Sequence, residues 1–164
     1  MDNTRPSKHD YYLTIAAAVS ARSTCLSKQY GAVIVNDDEI VATGYNGAPR
    51  GRKNCCELGV CKRVNKNLEH GADYALSCRS VHAEMNAIIS AARDEMIGST
   101  MYLYGYDVKR GHVVDNIDCC PICRRLVINS GISKVYFYGI SVPYAEVDVN
   151  YWVNADESLD SEDG

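Results

Sequence analysis

No run of apolar residues in this 164-residue chain is long enough to cross a bilayer. The longest, Leu13 to Val19, falls far short of the roughly 20 residues that a spanning helix needs. Met1 to Asp10 is polar and lacks the apolar core of a secretory signal, so the expectation is a cytoplasmic protein with no membrane partner. An excess of basic charge is missing too. Seventeen Lys and Arg stand against 21 Asp and Glu, giving a net charge of -4, and no stripe of cations offers itself to a nucleic acid. No internal repeat is present. At 46% hydrophobic and 23% charged residues, the composition is that of an ordinary globular protein. The length suits one domain, expected over 1–154, with an acidic tail over 155–164 (Asp156, Glu157, Asp160, Glu162, Asp163) too polar to order itself.

Cysteine, by contrast, is abundant, with eight in the chain. In a reducing compartment such a density points to metal or catalysis rather than to a disulfide framework.

Hydrophobic periodicity predicts a helix from His9 to about Thr24, with Tyr12, Ile15, Ala16 and Val19 on one face. Gly31–Asn36 and Ile40–Gly44, joined by Asn36-Asp37-Asp38, predict a β-hairpin. Residues 52–80 are polar, without period, and carry Cys55, Cys56, Cys61 and Cys78, so ligands are expected to hold them. Val81 to Met96 predicts one helix, capped by Ser80, with Met85, Ile88, Ile89 and Ala92 as its apolar face. A strand over Thr100–Tyr104 follows, then a loop or small hairpin to Asp118. A helix from Pro121 to Asn129 ends at Gly131, followed by a strand over Lys134–Tyr138 and a weaker one over Val147–Val153. The order α-β-β-loop-α-β-α-β, with the weaker last strand, predicts a three-layer α/β/α domain around a mixed, roughly five-stranded sheet.

Two motifs carry chemistry. His82-Ala83-Glu84 opens one predicted helix, and Cys120-Pro121-Ile122-Cys123 opens another. Alone, the first reads as an ordinary helix start, and the second as a zinc knuckle or a redox pair. Together, one histidine and two thiolates leave a fourth position on zinc open, as catalytic sites do. Zinc lowers the pKa of bound water from 15.7 to roughly 7, which supplies a nucleophilic hydroxide at neutral pH. Helix N-termini favour the two thiolates. Glu84 lies beside the metal position and takes the part of proton shuttle. The pattern H-x-E…P-C-x-x-C is that of zinc-dependent nucleobase deaminases.

The chain resembles the deoxycytidylate deaminase family within the cytidine deaminase superfamily, from about Tyr12 to Tyr138. The likeness rests on Ser23-Thr-Cys25, Gly31-Ala-Val-Ile-Val35, Thr43-Gly-Tyr-Asn-Gly-Ala-Pro-Arg-Gly51, Cys78-Arg-Ser-Val-His-Ala-Glu-Met-Asn-Ala-Ile88, and Cys120-Pro-Ile-Cys123 through Ile128-Asn-Ser-Gly-Ile132. The resemblance implies that this three-layer domain is of the cytidine-deaminase-like kind, and it implies hydrolysis of dCMP to dUMP and ammonia, feeding thymidylate synthesis. It makes His82, Cys120 and Cys123 the zinc ligands and Glu84 the proton shuttle. Asn46, otherwise a turn residue, would hold the sugar hydroxyl, and the backbone of Ala83 would meet the cytosine edge. Ser23 and Lys28 are the phosphate candidates, with Tyr138 or Tyr144 closing that pocket. Bacterial and phage members often hold a second, structural zinc, for which Cys25, Cys55, Cys61 and Cys78 are placed, with Cys56 as a substitute for Cys55. The family also implies a hexamer, activation by dCTP and inhibition by dTTP with Mg2+, through positions resembling Gly47, Arg50 and Arg93. Cys119 departs from the pattern, since proline usually precedes the first cysteine of the pair, and the segment from Tyr104 to Asp118 is long. Two other functions compete: deamination of a tRNA base, against which the acidic charge speaks, and a silent zinc scaffold, which has no need of Glu84.

Overall fold

The computed structural model describes residues 5–65, 77–140 and 142–155. The tail expectation therefore falls almost wholly outside the described residues, as does the centre of the polar segment 52–80. Ser7 starts the first helix, α1 (Lys8–Ser20), by accepting a hydrogen bond from the Asp10 amide at 3.1 Å. The helix stops at Ser20, four residues earlier than expected. Arg22 and Ser23 bond back three residues rather than four, which tightens the chain into a turn.

Strands β1 (Lys28–Asn36) and β2 (Glu39–Tyr45) form the expected hairpin. Its two-residue loop, Asp37-Asp38, has positive φ at both positions (46° and 68°), as a primed turn requires. Two helical turns, α2 (Cys55–Leu58) and α3 (Lys62–Asn65), interrupt the segment read as irregular. The predicted helix over Val81–Met96 is two: α4 (Ala83–Ser90) and α5 (Arg93–Met96). Ala91 and Ala92 are extended, and Glu95 takes the Ala92 amide at 2.9 Å to restart the helix. The expected face was also rotated: Ala83, Glu84 and Ala87 are buried, while Ile89 is 75% exposed.

Strand β3 (Thr100–Asp107) turns through a small hairpin into β4 (His112–Val113). Helix α6 (Pro121–Ser130) ends on Gly131, whose φ of 87° suits a left-handed cap. Strand β5 (Lys134–Tyr138) matches its expectation, but the region expected as a last strand divides into β6 (Tyr144–Asp148) and α7 (Val149–Asn154). Asp148 accepts from the Asn150 amide at 2.9 Å, and Val149 and Trp152, three apart, are buried, so a cap and a helical pair override the β-branched composition.

The sheet order is β2-β1-β3-β5-β6, with β4 on β3. β3 and β5 run parallel, and the other pairings are antiparallel. Alternation along the strands divides two cores. Val33, Val35, Tyr102 and Tyr136 face α1, while Ala32, Ile34, Met101, Leu103, Val135 and Phe137 face α4, α6 and α7. This is the expected three-layer mixed α/β arrangement. Both motif-bearing helices lie on the second face, so their starts can converge.

Candidate active site and metal centre

Chain geometry brings α4 against the sheet. A Cβ on Gly44 would come within 2.3 Å of the Ala83 carbonyl oxygen and the Ala87 amide, so only glycine lets β2 pass this close. Asn86 adds a hydrogen bond to the Tyr45 carbonyl at 2.7 Å, and Val81 pairs with Gly47 in a short bridge. These contacts fix His82 where the helix begins.

His82 itself is the N-cap of α4, and Cys120 is the N-cap of α6. The expected cap, Ser80, instead bonds to the Val81 carbonyl. The His82 Nδ1 lies 3.5 Å from the Cys120 Sγ and 3.3 Å from the Cys123 Sγ. Ligand atoms of the three lie within 4.8 Å of one another, the one such His/Cys/Asp/Glu group among the described residues. A tetrahedral zinc, with Zn–S of about 2.3 Å and Zn–N of about 2.0 Å, separates such ligands by about 3.6 Å. The donor set fits that ion in both type and spacing.

Protonation follows from the packing. A hydrogen bond from the Cys123 thiol holds the Cys120 sulfur down at about 4, against the opposing effect of burial, and His82 adds to it. Cys123, the donor of that bond, is pushed up, as is Cys119 by its burial. Hydrogen bonding to Cys120 raises His82. Glu84 is only 5% exposed, and burial raises its carboxyl above the usual range although its own amide, His82 and the Cys123 thiol oppose this. A carboxyl raised by desolvation beside a metal-ligand group is placed to take up and return a proton.

A cleft of about 230 Å3 opens on this group. Its wall includes Lys28, Asn46, His82, Glu84 and Cys120 from the expected set, joined by Ser27, Tyr30, Arg63, Ser80 and Asp118. Asp118 was accessible to sequence reasoning, since it stands two residues before Cys120. Nothing in an aperiodic segment singles out Arg63. Asn46 is buried, its Oδ1 accepting from the Tyr30 amide at 2.7 Å and the Ser23 hydroxyl at 2.6 Å, its Nδ2 donating to the Lys28 carbonyl at 2.9 Å. Ser23 thus stands behind Asn46 and does not line the cleft. The Ala83 amide belongs to the first turn of α4, where it has no partner within the helix.

Cys25, Cys55, Cys61 and Cys78 line a neighbouring small cavity, but no three of their sulfurs meet the spacing of the first group. Burial raises Cys55, with the sulfurs of Cys25 and Cys61 adding to it. Cys61 is net lowered: burial is outweighed by hydrogen bonds from the Val64 and Arg63 backbone and from the Arg63 charge and side chain. Cys56 is exposed and outside the cavity; Cys119 is buried and outside the ligand group. Gly47 and Arg50 line a separate groove of about 310 Å3 with Arg22 and Arg52, whereas Arg93 is exposed at the start of α5, away from that lining. Tyr138 and Tyr144 face each other across β5 and β6, pack on other tyrosines, and do not reach the cleft. No helix among the described residues is long and apolar enough to cross a membrane.

Comparison with known proteins meets this geometry. The model of the cytidine and deoxycytidylate deaminase zinc-binding region matches residues 6–139. A deoxycytidylate deaminase of Mycobacterium phage D29 is 35% identical over 138 residues, 82% of this chain and 96% of that protein. Its counterpart in Schizosaccharomyces pombe is 35% identical over 136 residues, 82% of this chain but 38% of that longer protein. A dCMP deaminase of the cyanophage S-TIM5, crystallised with dCMP and dUMP, aligns with a TM-score of 0.55 at 25% identity, over 82% of this chain and 83% of that one. The ligand group, the buried glutamate and the match over most of the domain agree: the chain belongs to the cytidine and deoxycytidylate deaminase zinc-binding family.

Proposed function

We propose that this protein is a dCMP deaminase, hydrolysing dCMP to dUMP and ammonia. The observation that carries the reading is the meeting of His82, Cys120 and Cys123 at two helix starts, with Glu84 buried beside them. These three side chains hold zinc, which when bound supplies Lewis-acid activation of water at neutral pH. Glu84 accepts a proton from the attacking water. It hands that proton to the ring nitrogen next to the reacting carbon and passes the next one to the departing amine, so that water and cytosine become uracil and ammonia. The N-terminal amides of α4, that of Ala83 among them, meet the polar edge of the base. Asn46 meets the sugar hydroxyl through the second N–H of its amide, its other groups being engaged within the turn. Lys28, on the cleft wall, belongs to the phosphate end, whereas Ser23 supports Asn46 from behind.

The finer expectations belong to the same proposal. Residues 1–154 act as one catalytic domain in the cytoplasm. Cys25, Cys55, Cys61 and Cys78 close around a structural zinc; their shared cavity supports this. The chain assembles as a hexamer, with dCTP and dTTP acting with Mg2+ at the groove of Gly47 and Arg50, and Arg93 at a subunit contact. No second reading has an observation in its favour. A substrate panel tests the proposal: dCMP, dCTP, deoxycytidine and CMP, each with and without dCTP and dTTP. dCMP should be turned over best. Deamination of tRNA but not dCMP would move the protein to another substrate class.

A further inference from the structure

Two cations line the catalytic cleft, and they come from different parts of the chain. Lys28 begins β1; Arg63 lies in α3, inside the segment without sequence period. Lys28 stands directly opposite Asp107 in the β1–β3 ladder; that carboxylate is held below its usual range chiefly by the Arg110 and Lys109 amides, with the Lys28 charge a minor contributor. The Ser23 hydroxyl has one hydrogen and already meets two acceptors of Asn46, at 2.6 and 2.8 Å. It has none left for a ligand.

Arg63 is the second cation of the cleft wall. Its side chain is half-buried in the wall shared by the cleft and the cysteine-lined cavity, together with Cys25, Cys78 and Ser80. The backbone and charge of Arg63 also bear on the Cys61 sulfur two residues before it, lowering that thiol against the effect of burial. A guanidinium presents a planar fork of donors that matches two phosphate oxygens at once, which an ammonium does not. The carboxylates of the cleft, Glu84 and Asp118, flank the metal ligands His82 and Cys120, and Asp118 is already bonded to Arg124. A mononucleotide with its base at the ligand group would turn its dianionic phosphate away from these carboxylates and toward the cations.

We infer that Arg63 grips the 5′-phosphate of the nucleotide, making α3 part of the substrate site. The inference rests on the deaminase reading of the cleft and names a residue that the family pattern does not supply. Calorimetric titration of the zinc-loaded protein with dUMP and with deoxyuridine tests it. In Arg63→Ala the dissociation constant for dUMP should rise at least tenfold and that for deoxyuridine less than twofold, at unchanged zinc content. Arg63→Lys should recover part of the loss. An Arg63→Ala protein that binds dUMP within twofold of the parent would overturn the inference, as would equal weakening of both ligands. A parent protein that binds dUMP but leaves dCMP unchanged would defeat the deaminase reading alone; one that binds neither would remove both.

Discussion

The Nδ1 of His82 and the Sγ of Cys123 lie 3.3 Å apart although 41 positions separate them in the chain. The two helices that carry them pack into one core on the same face of the sheet, and the point where their starts meet is polar and open to a cleft. A buried thiol alone is ordinary core, but an imidazole nitrogen set against two sulfurs at the mouth of a cleft is a ligand arrangement.

Metal content is the first consequence. Elemental analysis should give two zinc ions per chain, and Cys61→Ser should lower the value to one without removing the zinc on His82. One zinc in the unaltered protein would eliminate the four-cysteine site and leave its cysteines as half-buried free thiols.

Placement of α4 depends on Gly44. In Gly44→Ala the new methyl meets backbone atoms at 2.3 Å, so the helix must withdraw. A stability loss of about 1–3 kcal/mol is expected from such overpacking. Zinc affinity should fall with it, since His82 moves. Gly51→Ala has open space and only its positive φ of 80° to contend with, so it should cost about 1 kcal/mol and leave zinc binding alone. Thermal denaturation with a zinc competition assay distinguishes the two; equal effects would argue against the close approach as the fixing contact.

The α1 face of the sheet is built from tyrosines, and this sets an alkaline limit. Tyr12 is pushed up to about 12 by burial and by its hydrogen bond to Asp38, and Tyr102 to about 12 by burial. Their folded values exceed the unfolded one, so the stability they contribute is fully present below about pH 10 and is lost as pH rises through 12. Tyrosinate absorbance and circular dichroism should then change together between those limits. Ionisation of these tyrosines near pH 10 with the fold intact would contradict the packing.

Much of this was legible in the chain for a local reason. His82-x-Glu84 and Cys120-x-x-Cys123 are spacings set by a helix's first turn, and the hairpin at Asp37-Asp38 by two residues that tolerate positive φ. What stayed hidden depended on competition between local rules. Ala91 and Ala92 are strong helix formers, yet Glu95 captures the Ala92 amide and a new helix starts. Val149 to Val153 reads as a strand until Asp148 caps it. Ile89 completes a plausible apolar face but points outward, because the approach of β2 at Gly44 decides which side of α4 is covered. Arg63 reaches the cleft only through the path of a segment with no periodicity.

The central claim is that Glu84 moves the protons of a zinc-dependent hydrolysis of dCMP. Ammonia release from dCMP by Glu84→Gln, compared with the parent protein at equal zinc content, tests it most directly. General acid–base catalysis of this kind contributes about 10²–10⁴-fold, so turnover should fall by at least that range while zinc and dUMP remain bound. Full activity in the variant, or none in the parent with zinc in place, would contradict the account.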